Sequence, residues 1–217
     1  MLQQAAAQSF IILRYPINTR RMINKLSSFI TDRFVLNGTE QVDDIEVYQF
    51  ALFIIISNIF FLAISLLTGL IFSCIIEMII FFISFQLLRT FAGGYHAKSE
   101  TVCEIATTSS IFLVGLIISL CEKFGLVQLF TIITAVIAAV VIIIFSPVEA
   151  RQKPLSANER KKYRIVSILI LAAITASIIT AYCLKIRMIY IPCCLCLVLE
   201  AALITAGKIE EHFTVKE

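Results

Sequence analysis

From residue 47 to residue 206 this chain repeats apolar runs close to the roughly 20 residues of helix that span the 30 Å hydrocarbon core of a bilayer, and no other feature limits its fold as strongly. Within hydrocarbon, backbone polar groups must be satisfied inside the protein, so a spanning segment is a helix or part of a closed barrel. The runs are continuous rather than alternating, which argues against a barrel. With 59% hydrophobic residues and a mean hydropathy of +0.95 over 217 residues, a soluble domain is excluded. The expected fold is all-α: a polytopic helical membrane protein of about six transmembrane or partly re-entrant helices, preceded by an amphipathic N-terminal arm.

The six segments are 47–72, 75–88, 105–121, 126–148, 165–184 and 188–206. The second is short, covering about 21 Å at 1.5 Å per residue. It either continues past Arg89 towards Ala92, with the guanidinium snorkelling to the interface, or enters the membrane only partly. Residues 1–46 form the arm, 47–206 the membrane domain and 207–217 a tail. In the arm, Arg14, Arg20, Arg21, Lys25 and Arg33 alternate with Ile17, Met22, Ile23, Leu26, Phe29 and Ile30, the pattern of a helix lying on the inner leaflet. A cleaved signal peptide is not expected. If the N-terminus is cytosolic, all but three of the 18 lysines and arginines fall on the inner side, which fixes the expected orientation with both termini inside.

Between the second and third segments the chain turns polar over Arg89-Thr-Phe-Ala-Gly-Gly-Tyr-His96-Ala-Lys-Ser-Glu-Thr-Val-Cys103. A neutral imidazole can take a proton from a thiol, and the thiolate is a strong nucleophile. We read His96 and Cys103 as a cysteine protease dyad on the cytosolic face. On one continuous helix their Cα atoms would be about 10.5 Å apart, too far for a hydrogen bond, so a break is required. Thr101-Val-Cys-Glu104 reads as a capping box with Thr101 at the N-cap; Ser99 is an alternative cap. Cys103 would then sit in the first helical turn, where the dipole favours a thiolate and unpaired amides suit an oxyanion. Gly93 and Gly94 permit backbone angles that would fold His96 back towards it. Arg89 would bind a substrate carboxylate or orient the loop.

Cys183, Cys193, Cys194 and Cys196 lie in or beside apolar runs and read as small packing residues. No metal site or other cofactor is expected: there are two histidines, no His-Glu-x-x-His and no paired Cys-x-x-Cys.

The order Arg89, Gly93-Gly94, His96 and Cys103, followed by Ser146-Pro-Val-Glu, Lys153-Pro154-Leu and Glu159-Arg-Lys-Lys-Tyr163, resembles the accessory gene regulator B (AgrB) family of bacterial membrane peptidases. Size, basic arm and hydrophobic layout also fit, so the resemblance covers most of the chain. It implies a multi-pass protein of the bacterial cell membrane that cuts an AgrD-type propeptide near its C-terminus and helps to cyclise it into a quorum-sensing thiolactone or lactone. On that resemblance Cys103 is the nucleophile and His96 the general base. A homodimer is implied in the same way.

Other residues carry weaker expectations. Glu200, inside the last segment, would orient His96 or bind Arg89, or pair structurally. Gln86 shares a helix face with Arg89 and would support the oxyanion. Lys153, Lys161 and Lys162 of the basic loop would attract acidic parts of the propeptide and anionic membrane lipid, or act only as orientation signals. Glu77 is expected to snorkel, and His212 to be a solvated tail residue. The net charge of +3 gives no reason to expect a nucleic-acid partner. The alternatives from other classes are a small membrane transporter or exporter, and a non-catalytic peptide-binding scaffold.

Overall fold

The computed structural model describes residues 45–95, 100–148 and 156–214. Among them are six helices and no strand: α1 Ile45–Phe72, α2 Ile75–Ala92, α3 Glu100–Lys123, α4 Gly125–Phe145, α5 Ala157–Cys183 and α6 Arg187–Thr214. The architecture is all-helical. Five of the helices, all but α4, are long and apolar enough to cross a membrane, and α4 carries a shorter apolar stretch, Leu129–Phe145. The chain divides after Ala63 into two units. The described part of the first is the opening of α1. The second holds the end of α1 and the five following helices.

Within the second unit α6 is the central element, packed against α2, α3, α4 and α5. In its membrane-length window 61% of residues are buried, against 11–33% for the other spanning helices. Its sequence accounts for this. Cys193, Cys194, Cys196, Ala201 and Gly207 give it a surface of small side chains, which lets neighbouring backbones come close where no water drives association. Ile133, Val136, Ile137 and Val140 on α4, and Ile165, Leu169 and Ile179 on α5, point away from this core, as helix faces meeting lipid tails would.

Several expectations change. The second segment continues through Arg89 to Ala92, reaching 18 residues. Glu100 is already helical, so Thr101 lies inside α3 rather than at the expected N-cap position. The same pattern at Ser156-Ala-Asn-Glu159 forms a capping box: the Glu159 amide donates to Ser156 Oγ at 3.3 Å, and the Ser156 amide donates to Glu159 Oε2 at 3.0 Å. Helix α5 therefore begins two turns before the apolar run at 165. Helix α6 runs through Thr214, past the expected end of the last apolar segment at 206. Glu77 is buried in the first turn of α2, near the positive end of the helix dipole, rather than snorkelling. Cys183 is exposed, whereas Cys193, Cys194 and Cys196 are buried. The amphipathic arm lies outside the described residues.

Candidate functional site

The polar stretch begins where α2 ends, and Arg89 organises that end. Arg89 lies in the last turn, and its own carbonyl accepts the Gly93 amide at 3.2 Å. Its guanidinium turns back over the chain it precedes. Nη1 donates to the Gly93 carbonyl and Nη2 to the Tyr95 carbonyl, each at 2.6 Å. These are charge-assisted bonds, stronger than neutral ones, and they curl residues 93–95 around the arginine.

Both glycines are required by this geometry. Gly93 has φ +74° and Gly94 φ +130°, regions that side chains disfavour. A Cβ on Gly93 would collide with the Val148 carbonyl oxygen, and one on Gly94 with Arg89 Nη1. The segment is pinned on two further sides. Gly93 pairs with Val148 in a parallel bridge, and the Val148 amide donates to the Ala92 carbonyl at 3.0 Å. The Tyr95 amide donates to the Leu203 carbonyl of α6 at 2.8 Å, beside Gly207. The sequence reading gave Tyr95, Val148, Leu203 and Gly207 no role of their own. They act through backbone atoms or through lack of a side chain, which leaves no chemical signature in a sequence.

Cys103 is the fourth residue of α3 and is half-buried. Its amide is among the first four of the helix, which lack intrahelical acceptors. Its carbonyl accepts from Thr107 Oγ1 at 2.8 Å. Glu200 is fully buried, with Oε1 at 4.0 Å from Arg89 Nη1. Gln86 is half-buried one turn before Arg89, and its carbonyl accepts from Thr90 Oγ1 at 2.7 Å. His96 and Lys153 lie outside the described residues. Thus Arg89, Gly93 and Gly94 at the end of α2 meet Glu200 of α6, and Cys103 lies in the first turn of α3.

A basic recess of about 460 Å3 opens where α4 ends and α5 begins. Arg160, Lys161 and Arg164 of α5 and Lys208 of α6 line it, with Ile144, Phe145, Ser146 and Pro147 as its apolar and backbone wall. Positions 160, 161 and 164 share a face of α5 by helical period. Lys162 is exposed but is not part of this lining. The sequence reading named Lys161 and Lys162 and passed over Arg160, Arg164 and Lys208; placing the period on α5 from Ser156 would have separated them. Around the recess the Ser146 hydroxyl is 2.9 Å from that of Ser167 of α5, and the Phe91 ring centroid of α2 is 5.7 Å from that of Tyr163 of α5.

Comparison with known proteins bears on the family of the chain. The sequence model of the Accessory gene regulator B family matches residues 21–205. An AgrB-like protein of Clostridium perfringens is 26% identical over 153 residues, which cover 65% of this chain and 68% of the relative. The accessory gene regulator protein B of Staphylococcus carnosus is 33% identical over 88 residues, covering 41% of this chain and 44% of the relative. That of Staphylococcus aureus is 23% identical over 159 residues, covering 72% and 82%. No solved structure matches the chain.

Proposed function

Because the chain belongs to the accessory gene regulator B family, we propose that it is a membrane-embedded cysteine endopeptidase that cleaves an AgrD-type propeptide near its C-terminus and promotes its cyclisation. Family membership itself implies a part in the accessory gene regulator quorum-sensing system, with an AgrD-related partner, in a multi-pass membrane protein. The observation that carries the finer reading is the arginine-held strap at residues 89–95, with Cys103 at the start of the next helix.

In this reading His96 takes the Cys103 proton as Sγ attacks the scissile carbonyl. The tetrahedral oxyanion is met by first-turn amides of α3, with Gln86 as a candidate further donor. His96 then protonates the leaving amine, the C–N bond breaks and a Cys103 thioester remains. A thiol or hydroxyl within the retained peptide attacks that thioester and expels the Cys103 sulfur, closing the ring. Passing from thioester to thiolactone conserves the acyl activation, and a partly dehydrated site suppresses hydrolysis. Arg89, Gly93 and Gly94 hold the strap rather than the substrate. Arg160, Lys161, Arg164 and Lys208 form an anion-attracting recess for acidic parts of the propeptide. Lys153 and Lys162 add to the field that attracts the peptide and anionic lipid. The catalytic loop and both termini are cytosolic in this reading, by the distribution of basic residues.

The test is mass spectrometry of a cognate propeptide incubated with the purified protein in liposomes, wild type beside Cys103→Ala and His96→Ala. Expected are an acyl-enzyme mass on Cys103 and release of the peptide's C-terminal piece, both lost in Cys103→Ala. Cleavage that survives Cys103→Ala sinks the peptidase assignment and favours a transporter or scaffold.

A further inference from the structure

Glu200 lies well within α6, its side chain fully buried. Neither carboxylate oxygen has a hydrogen-bond partner among the described residues. The chemistry set out above makes no use of it. A carboxylate offers about four acceptor positions, and a buried anion is costly unless a cation lies close. Among the described residues its ion-pair partner is Arg89, 4.0 Å away.

The pair has a direction. The Arg89 nitrogen that faces Glu200 is Nη1, the same atom that donates to the Gly93 carbonyl, while Nη2 donates to the Tyr95 carbonyl. Two carbonyl dipoles supply only partial negative charge, too little to hold a guanidinium whose side chain is 17% exposed. The full anion comes from α6. Tyr95 bonds to that helix through Leu203, three positions beyond Glu200 and on the same face. The strap is thus tied to α6 twice: directly at Leu203, and through Arg89 at Glu200.

We propose that Glu200 is a positioning residue: its carboxylate anchors the Arg89 guanidinium over the Gly93 and Tyr95 carbonyls and so fixes the strap that leads into the reactive loop. This rests on the reading of that loop as the reactive one. Glu200 touches neither substrate nor the reacting atoms; it acts through Arg89.

The experiment measures kcat and KM for propeptide cleavage by liposome-reconstituted Glu200→Gln, Glu200→Asp, Arg89→Gln and the Arg89→Gln/Glu200→Gln double variant. Glu200→Gln keeps the shape and removes the charge. Its kcat is expected to fall about 10²-fold, the scale of a misplacement near 1 Å, with KM unchanged. Glu200→Asp retains the charge and should lie between wild type and Glu200→Gln. The double variant should be no slower than the slower single, because both act through one contact. Wild-type kcat in Glu200→Gln overturns the proposal. So do losses that multiply in the double variant, or a rise in KM that accounts for the whole loss. If Glu200→Gln does not fold, Glu200→Asp decides: a lower kcat at unchanged KM supports the proposal, and an unchanged kcat overturns it. Cys103→Ala runs in parallel. Cleavage persisting there defeats the peptidase reading, whereas inactive Cys103→Ala beside fully active Glu200→Gln defeats this proposal alone.

Discussion

A single methyl group on Gly94 tests the arginine-held strap directly. At φ +130° its Cβ would overlap Arg89 Nη1, so Gly94→Ala has two separable costs. Forcing a side chain into that backbone region costs about 1–3 kcal/mol. Ejecting the guanidinium forfeits at least one of its bonds to the Gly93 and Tyr95 carbonyls, a further cost of about 1.5–3 kcal/mol for a charged donor. The first cost is independent of Arg89, but the second vanishes once Arg89 is shortened. A double-mutant cycle with Arg89→Gln should therefore recover a coupling of about 1.5–3 kcal/mol. Unfolding can be followed with a thiol-reactive fluorophore, because Cys74, Cys121, Cys193, Cys194 and Cys196 are all buried until the fold opens. At about 2–4 °C per kcal/mol for a chain of this size, Gly94→Ala should lower the midpoint by at least about 5 °C in the wild-type background. In Arg89→Gln the drop should be roughly half as large. Equal drops in both backgrounds, or no drop in either, would refute the claim that Arg89 occupies the space a side chain would need.

Gly207→Val should destabilise by about 1–3 kcal/mol through overpacking, because a Cβ there stands 3.0 Å from both the Tyr95 amide nitrogen and Val148 Cγ1; the same dye assay reads it. In the folded protein Cys183 should react with a membrane-impermeant maleimide while Cys194 and Cys196 stay unmodified until denaturation, as peptide mapping would show. Arg164→Gln should raise the KM for propeptide several-fold, whereas Lys162→Gln, outside the recess lining, should leave it within about twofold; a few tenths to 1 kcal/mol per exposed charge is the expected scale. Equal effects of the two substitutions would remove the recess from substrate recruitment.

The all-helical architecture was legible because it rests on run length and continuity of apolar residues, which survive any detail of packing. Helix ends were less so. The pattern Ser/Thr-x-x-Glu occurs at Thr101 and again at Ser156, and only the second caps a helix, since Glu100 is already helical. Nothing local in the two tetrapeptides separates them. Arg89, Gly93, Gly94 and Glu200 stood out as rare polar or flexible residues amid apolar ones. Their mutual arrangement did not, because it is made by carbonyls of Gly93 and Tyr95 and by a helix more than 100 residues later in the chain. The cysteines divide in the same way. Composition marks all of them as small hydrophobes, but Cys183 falls at the end of α5, on an exposed face, and Cys193, Cys194 and Cys196 on the most buried helix. Glu77 was misjudged because helix orientation within the bundle, rather than distance from the helix end, decides whether a carboxylate meets water.

The way α2 ends also bears on what surrounds the Arg89 charge. A helix leaves its last carbonyls without intrahelical donors, and near hydrocarbon such groups need other partners. Here the Arg89 carbonyl takes the Gly93 amide, the Ala92 carbonyl takes the Val148 amide, and the Gly93 and Tyr95 carbonyls take the guanidinium. The donors come from two parts of the chain, the strap itself and Val148, and the arginine is the charged one among them. Two of the five guanidinium N–H donors hold the strap and Glu200 lies beside Nη1, so part of the charge of Arg89 is already matched inside the protein. In the proposed function an acidic peptide would be met by Arg160, Lys161, Arg164 and Lys208 rather than by Arg89. That proposal assigns recruitment and positioning to different cations, although Val148, which follows the recess wall at Ser146-Pro147 and bridges Gly93, joins the two in the backbone.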